Sequence, residues 1–328
     1  MTDVLQRQDT TLASLFEVQE PSLWYWIRKD IHGEAVDTPD LAAIQKAIKK
    51  SKRVATLLSE CDSNGMIPHH PYHKWIGAHW VLASLADLGY PAGDSALNPL
   101  ADQVIGWLFG KERHESVAKR TKQAGGYPTR ACGSMEGNAL LSLVKLGIRK
   151  EAWPVLAQTL LEWQWPDGGW NCDVTPSAHH SSFMETLLPM RALWFYGTVT
   201  GDVDAKTAAV RASEIFLKRE LFLRQSDSAV MNSQYIQLHY PLYWHYDILG
   251  ALWAMKEMDR LDDPRCEKAL NLLRTKQLSD GGFPAEGRYY HHRSGVSNAS
   301  LVDWGTVSKV KLNPWITVRA FAVLSSAI

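Results

Sequence analysis

Three segments of the 328-residue chain repeat one short pattern: a glutamine, a Gly-Gly pair and an aromatic residue. They are Gln123-Ala124-Gly125-Gly126-Tyr127, Gln164-Trp165-Pro166-Asp167-Gly168-Gly169-Trp170 and Gln277-Leu278-Ser279-Asp280-Gly281-Gly282-Phe283, with weaker copies at 62–66 and 225–229. Internal repetition constrains a fold more tightly than composition does, because a unit that cannot bury its apolar face alone must stack on its neighbours. A spacing of about 45 to 60 residues suits a helical hairpin.

The flanks of these turns are regular as well. Upstream, segments 41–58, 97–109, 152–164, 205–221 and 264–277 each carry one polar face and predict outer helices. Downstream, 75–88, 139–146, 183–196, 246–258 and 314–327 are apolar nearly all round and predict inner helices, since a helix with no wet face belongs in a core. Segment 22–31 adds a sixth inner helix, and 4–16 an outer partner for the last one, which would close a ring. Asn313-Pro314 and Asp263-Pro264 read as N-caps followed by proline in the first turn, and Gly89, Gly147 and Gly197 as helix stops. Pro189 conflicts with this parse, because inside a helix it should kink it or delay its start. Strand signals are almost absent, so the expectation is one all-α domain over 1–328.

Charge excludes some partners. The 35 Lys+Arg balance 35 Asp+Glu, which leaves no basic excess for nucleic acid or an acidic membrane surface. Cys61, Cys132, Cys172 and Cys266 form no CxxC pair, so a reduced, cytoplasmic setting is expected. The first residues lack the pattern of a signal peptide, and no apolar run reaches the roughly 20 residues of a spanning helix.

Gln-x-x-Asp-Gly-Gly-Trp after an outer helix resembles the QW-type repeat of the terpenoid cyclase and protein prenyltransferase superfamily, with Gln164 to Trp170 a close match and Gln277 to Phe283 a good one. The resemblance implies an α/α toroid of about six helical hairpins, in which the Gln and the aromatic are structural. It does not carry one activity with it, because one fold hosts many chemistries. The Asp-x-Asp-Asp acid of the squalene-type cyclases has no counterpart; the nearest string, Asp259-Arg260-Leu261-Asp262-Asp263, follows an inner helix and reads as a cap. The Asp-x-Cys and His zinc ligands of prenyltransferases are not matched, since Cys172-Asp173 reverses the order. Cys132-Gly133-Ser134-Met135 lacks the Gln of a thioester motif, and the Cys-His ligands of lanthipeptide cyclases are missing. Neither metal nor cofactor is expected.

Polar chemistry gathers where inner helices begin. Ten of the twelve histidines (69, 70, 73, 79, 179, 180, 239, 245, 291 and 292) fall between a turn and the first turns of an inner helix. Glu136, Glu185 and Asp247 lie there too, 49 and 62 residues apart, so successive helices would present one acid each to a common mouth. Ser182-x-x-Glu185 also fits a capping box, which leaves the role of Glu185 open. Asp247 lies beside His239, Tyr240, Trp244 and His245, surroundings that would raise its pKa. The catalytic candidates are therefore Asp247, Glu136 and Glu185, with His245, His239 and Tyr240 to tune or relay protons. Arg28, Lys74 and Arg130 are candidates for binding an anion, and His79, Trp75, Trp244 and Trp304 for shaping the pocket; Trp170 reads as architecture. Two enzymatic expectations follow: metal-independent acid/base chemistry on an isoprenoid, with aromatic faces stabilising cations, or lyase or glycosidase chemistry on an acidic sugar. A third is a toroid that binds a ligand or a protein without catalysis. The expected partner is a small molecule, hydrophobic or anionic.

Overall fold

The computed structural model describes residues 2–292 and 297–327, with side chains from residue 10 onward. Among these residues the chain is helical, with isolated β-bridges and no strand. In order, the α-helices are α1 (Thr2–Glu17), α2 (Pro21–Trp26), α3 (Pro39–Lys49), α4 (Lys52–Leu57), α5 (Ala78–Leu88), α6 (Asn98–Leu108) and α7 (Lys111–Gln123). They continue with α8 (Gly133–Leu146), α9 (Trp153–Trp163), α10 (Phe183–Thr200), α11 (Val203–Leu217), α12 (Ile248–Glu257), α13 (Glu267–Arg274) and α14 (Pro314–Ser325). The six segments expected to lie inside correspond to α2, α5, α8, α10, α12 and α14. The expected outer helix 41–58 is broken into α3 and α4, where Ser51 caps a new start by accepting the Val54 N–H.

Burial follows the apolar pattern. Along α8 even Ser134, Glu136, Asn138 and Ser142 are buried, and α5 and α12 are enclosed over most of their length. Helix α5 packs on α8, α8 on α10, α10 on α12, α12 on α14 and α14 on α2. Tyr25 of α2 lies against Gly89 at the end of α5, where an added Cβ would sit 2.6 Å from the ring, and Trp26 Nε1 donates to the Asp87 carbonyl at 2.9 Å. The tightest approach is that of α8 to α10: a Cβ on Gly137 would fall 2.5 Å from the Pro189 nitrogen. Pro189 thus neither ends α10 nor delays its start, and its ring-bearing backbone is the surface on which Gly137 rests. Gly197 likewise does not stop α10. The helix runs on to Gly201, in the left-handed region at φ 80°, and Gly197 instead gives room for the Asp202 carbonyl.

The repeat turns have a common bonding scheme. Gln164 Nε2 donates to the Gly168 carbonyl at 2.7 Å and to the Ala208 carbonyl of α11 at 2.9 Å, and Gln277 Nε2 donates to the Gly281 carbonyl at 2.8 Å. The aromatic that follows is held by a threonine of the next inner helix. Thr186 Oγ1 accepts the Trp170 N–H at 3.2 Å, and Thr317 Oγ1 accepts the Phe283 N–H at 2.9 Å. Trp170 and Phe283 are 1% and 0% exposed, whereas Tyr127 of the first copy is 72% exposed. The first copy departs for a reason: 111–123, unassigned from its polar pattern, forms the additional helix α7, and Gly126 closes its end by donating to the Thr121 carbonyl. The weak copy at 62–66 does form the turn, with Gly65 N–H on the Asp62 carbonyl and Asp62 N–H on the Met66 carbonyl.

The two kinds of copy should separate on mutation. Gln164→Ala strands two backbone carbonyls and is expected to cost about 1–3 kcal/mol, and Gln123→Ala less than about 0.5 kcal/mol, in urea unfolding.

Candidate functional site

The acids expected at the mouth are held by backbone and by arginine. Asp247 caps α12: Oδ1 accepts the Gly250 N–H at 2.7 Å, while Oδ2 accepts the His239 N–H at 2.8 Å. Glu185 does not close a capping box on its own helix, since Ser182 makes no capping bond; its Oε2 accepts the Ser134 N–H at 3.0 Å and so caps the neighbouring helix α8. Glu136 is gripped by both arms of Arg113, each at 2.9 Å. Burial pushes Glu136 up to about 7 even against this guanidinium. Arg113 lies on α7, which explains why the sequence pattern offered no partner for Glu136.

The basic and aromatic candidates scatter. Arg28 lies past the end of α2, on a π-helical turn over Ile27–Ile31, and pairs with Glu34 and Asp40 rather than standing at a helix start. Arg130 is buried over the Trp165 ring and donates to the Ala178 carbonyl at 3.0 Å. Half-buried Lys74 lies over Trp75 and Trp244. Trp75 stacks on Tyr243 with centroids 3.9 Å apart, Trp244 on His245, and His245 on Tyr289 at 3.4 Å. His239 Nδ1 lies 3.4 Å from Asp247 Oδ2. His79 pairs with Asn138 at 2.8 Å. Burial drives both His79 and His245 down to about 3, so at neutral pH both are neutral imidazoles and neither is an imidazolium acid. His70, His73, His179, His180, His291 and His292 are exposed. The mouth is therefore filled by its own rings.

The central cavity lies deeper. It has a volume of about 70 Å³ and is lined by side chains of α5, α8, α10, α12 and α14 together with the 241–243 loop and Trp304. None of Glu136, Glu185, Asp247 or His245 lines it. Of the predicted site residues Trp304 does, and Tyr240 reaches its edge by donating to Asp87 Oδ2 at 2.8 Å. The charged lining, Asp87, Lys145, Arg191 and Arg319, was missed from the sequence. Its signal was nonetheless present: each is a charge in the middle or last turn of a largely apolar helix.

These charges form one network. Arg319 binds Asp87, while Glu257 accepts both arms of Arg191, at 2.6 and 2.9 Å, and Lys145 at 3.1 Å. Arg319 also lies over the Tyr240 and Trp253 rings. Burial favours neutral carboxyls, but Arg319 and Tyr240 outweigh it and hold Asp87 below its ordinary range; Arg191 and Lys145 do the same to Glu257, more strongly. Burial, with Arg191 nearby, pushes the Lys145 ammonium down.

A second cluster brings together metal-binding chemistry that the sequence separates. Cys132, Cys172 and Glu185 place their ligand atoms within 4.8 Å of one another. No spacing motif announces it, because Cys132 ends the α7–α8 connection while Cys172 and Glu185 lie in the α9–α10 connection and the first turn of α10.

Comparison with protein-family models, with curated proteins and with solved structures gave no match.

Asp87 and Glu257 have folded-state pKa values below their unfolded ones, so the stability they contribute is present above the ordinary carboxylate range and is lost as pH falls through it. Urea midpoints should drop steeply between pH 5 and 3. Glu257→Gln, which leaves Arg191 and Lys145 without their counter-charge, is expected to cost about 3 kcal/mol at pH 7 and to flatten that acid limb.

Proposed function

We propose that this chain is an α/α toroid, akin to the terpenoid cyclase and prenyltransferase superfamily, that binds a small organic anion at its centre. Two features support the toroid: the order of inner-helix contacts from α5 through α14 to α2, and the Tyr25–Gly89 contact that returns the series to α5. The repeat turns, with their Gln and threonine bonds, support the kinship. The anion reading is carried by the cavity lining, where Lys145, Arg191 and Arg319 accompany a single carboxylate, Asp87, while Glu257, outside the lining, binds Lys145 and Arg191. A net positive charge away from water is costly unless something neutralises it, and a monoanion would do so. Ser84, Asn138 and Ser142 add neutral polar groups to the wall. The volume of about 70 Å³ is several times the roughly 10–15 Å³ that a single water requires, so the cavity has room for a small ligand.

The isoprenoid reading stays as the second, on one observation: Tyr243, Trp253 and Trp304 turn aromatic surface to the same cavity, where it would stabilise a cation. That reading requires the cavity to widen around a prenyl chain.

Thermal-shift measurements with acetate, pyruvate, lactate, farnesyl diphosphate and a uronate oligosaccharide separate the readings. At about a hundred times Kd a bound monocarboxylate stabilises by about 2.7 kcal/mol, which should raise Tm by about 2 °C or more. Ser84→Leu fills the cavity without altering a charge and should abolish the response. No shift with any monocarboxylate, or an equal shift in Ser84→Leu, would sink the anion reading, and a shift with farnesyl diphosphate alone would favour the isoprenoid.

A further inference from the structure

We propose that Cys132, Cys172 and Glu185 form a binding site for a zinc-like divalent metal ion, with a fourth coordination position left for water. The inference is independent of the central cavity and rests on how the α7–α8 connection meets the α9–α10 connection and the first turn of α10. Cys132 stands at the N-cap of α8, Cys172 lies two residues beyond Trp170, and Glu185 is in the first turn of α10. The repeat turn brings them together. A Cβ on Gly133 would lie 3.0 Å from the Trp170 ring, so the glycine after Cys132 lets the start of α8 dock directly on the aromatic. Thr186, the residue after Glu185, holds the backbone of that same Trp170 from the side of α10. Cys132 and Glu185 are thereby both held close to the segment that carries Cys172.

The donor set is suited to such an ion. The three ligand atoms lie within 4.8 Å of one another, and ligand atoms on a tetrahedral thiolate-bound zinc are roughly 3.5–4 Å apart, so about 1 Å of contraction suffices. Two thiolates select a soft or borderline ion over magnesium or calcium. The carboxylate is already oriented, because its Oε2 accepts the Ser134 N–H while Oε1 accepts the Cys172 thiol at 3.4 Å. Both cysteines are only partly buried, which leaves a path to solvent, whereas Glu185 is buried.

Charge is arranged to match. Binding would release the two thiol protons to solvent and leave two thiolates and one carboxylate on the ion, a net single negative charge. The N-terminus of α8 favours a thiolate at Cys132. Arg120 of α7 donates to the Cys172 carbonyl, and Arg113 of the same helix approaches the Cys132 carbonyl at 3.5 Å, so two guanidiniums flank the pair. The Cys172 proton bridges that thiol to Glu185 Oε1. The ion would take the place of protons that now hold the cluster together.

The test titrates the full chain, reduced and stripped with a chelator, with Co2+ as a spectroscopic probe. One equivalent should produce thiolate-to-cobalt charge transfer in the near ultraviolet and the visible bands of a tetrahedral site, both removed by Zn2+. Cys132→Ser and Cys172→Ser should each weaken binding by at least about 10–100-fold, and the double variant should lose the charge-transfer band with its helical circular dichroism intact. Cys61→Ser should leave the spectrum unchanged. Glu185→Gln also loosens the cap of α8, so it is read only by the cobalt spectrum of protein with native helicity. A band that survives the double cysteine variant, a band that requires Cys61 or Cys266, or no band from folded protein with four free thiols would each overturn the site. So would a Cys132–Cys172 disulfide as the sole chemistry of the pair, with no metal taken up after reduction.

Discussion

The hydrogen bond between a threonine hydroxyl and the backbone of a turn aromatic organises this molecule. Trp170 and Phe283 each end a Gly-Gly turn, and each has its N–H accepted by a threonine, Thr186 or Thr317, on the inner helix that follows. Such a bond fixes the turn and the helix in one geometry, and the glutamine at the head of the turn fixes the outer helix to both. Two successive hairpins are also joined there, because Gln164 reaches the Ala208 carbonyl of α11. An inner helix that is apolar all round has no stable place unless its neighbours are placed this firmly, since every face must meet protein.

That enclosure sets the terms for any charge inside. Asp87, Lys145, Arg191, Glu257 and Arg319 lie on helices that are largely buried, where a lone charge is costly and a paired one is tolerated. Their bonds to one another and to Tyr240 satisfy most of their polar atoms, and the aromatic faces of Tyr240 and Trp253 cover Arg319. Three cations, Lys145, Arg191 and Arg319, and one carboxylate, Asp87, thus line a small void, with Glu257 bonded to two of the cations. This network is also the part of the structure most exposed to acid, because its carboxylates must stay ionised.

The rim shows how one residue type serves opposite ends. Glu136, Glu185 and Asp247 sit at helix starts, as their spacing indicated, but each is consumed in holding the fold: by Arg113, by the α8 terminus and by the α12 terminus. Histidines cluster at the same rim because turn-to-helix loops are wet and polar. His79 and His245, the two whose burial keeps them neutral, are packed among rings, and others such as His179 and His291 face solvent.

Periodicity and turn residues determined by themselves that this chain is helical, which segments lie inside, and where Asn313 and Asp263 cap their helices. These are local facts, written within one or two turns of chain. Helix α7 escaped, because a segment polar on all sides carries no periodic mark, and with it went the partner of Glu136. The central network and the Cys132–Cys172–Glu185 cluster escaped for a different reason. Their members are 13 to 232 residues apart in sequence, and only the packing of α5, α8, α10, α12 and α14 on one another brings them within bonding distance. The sequence alone thus placed the charges on buried helices, and the tertiary structure alone decided which of them meet, because a contact between distant residues depends on the orientation of every helix between them.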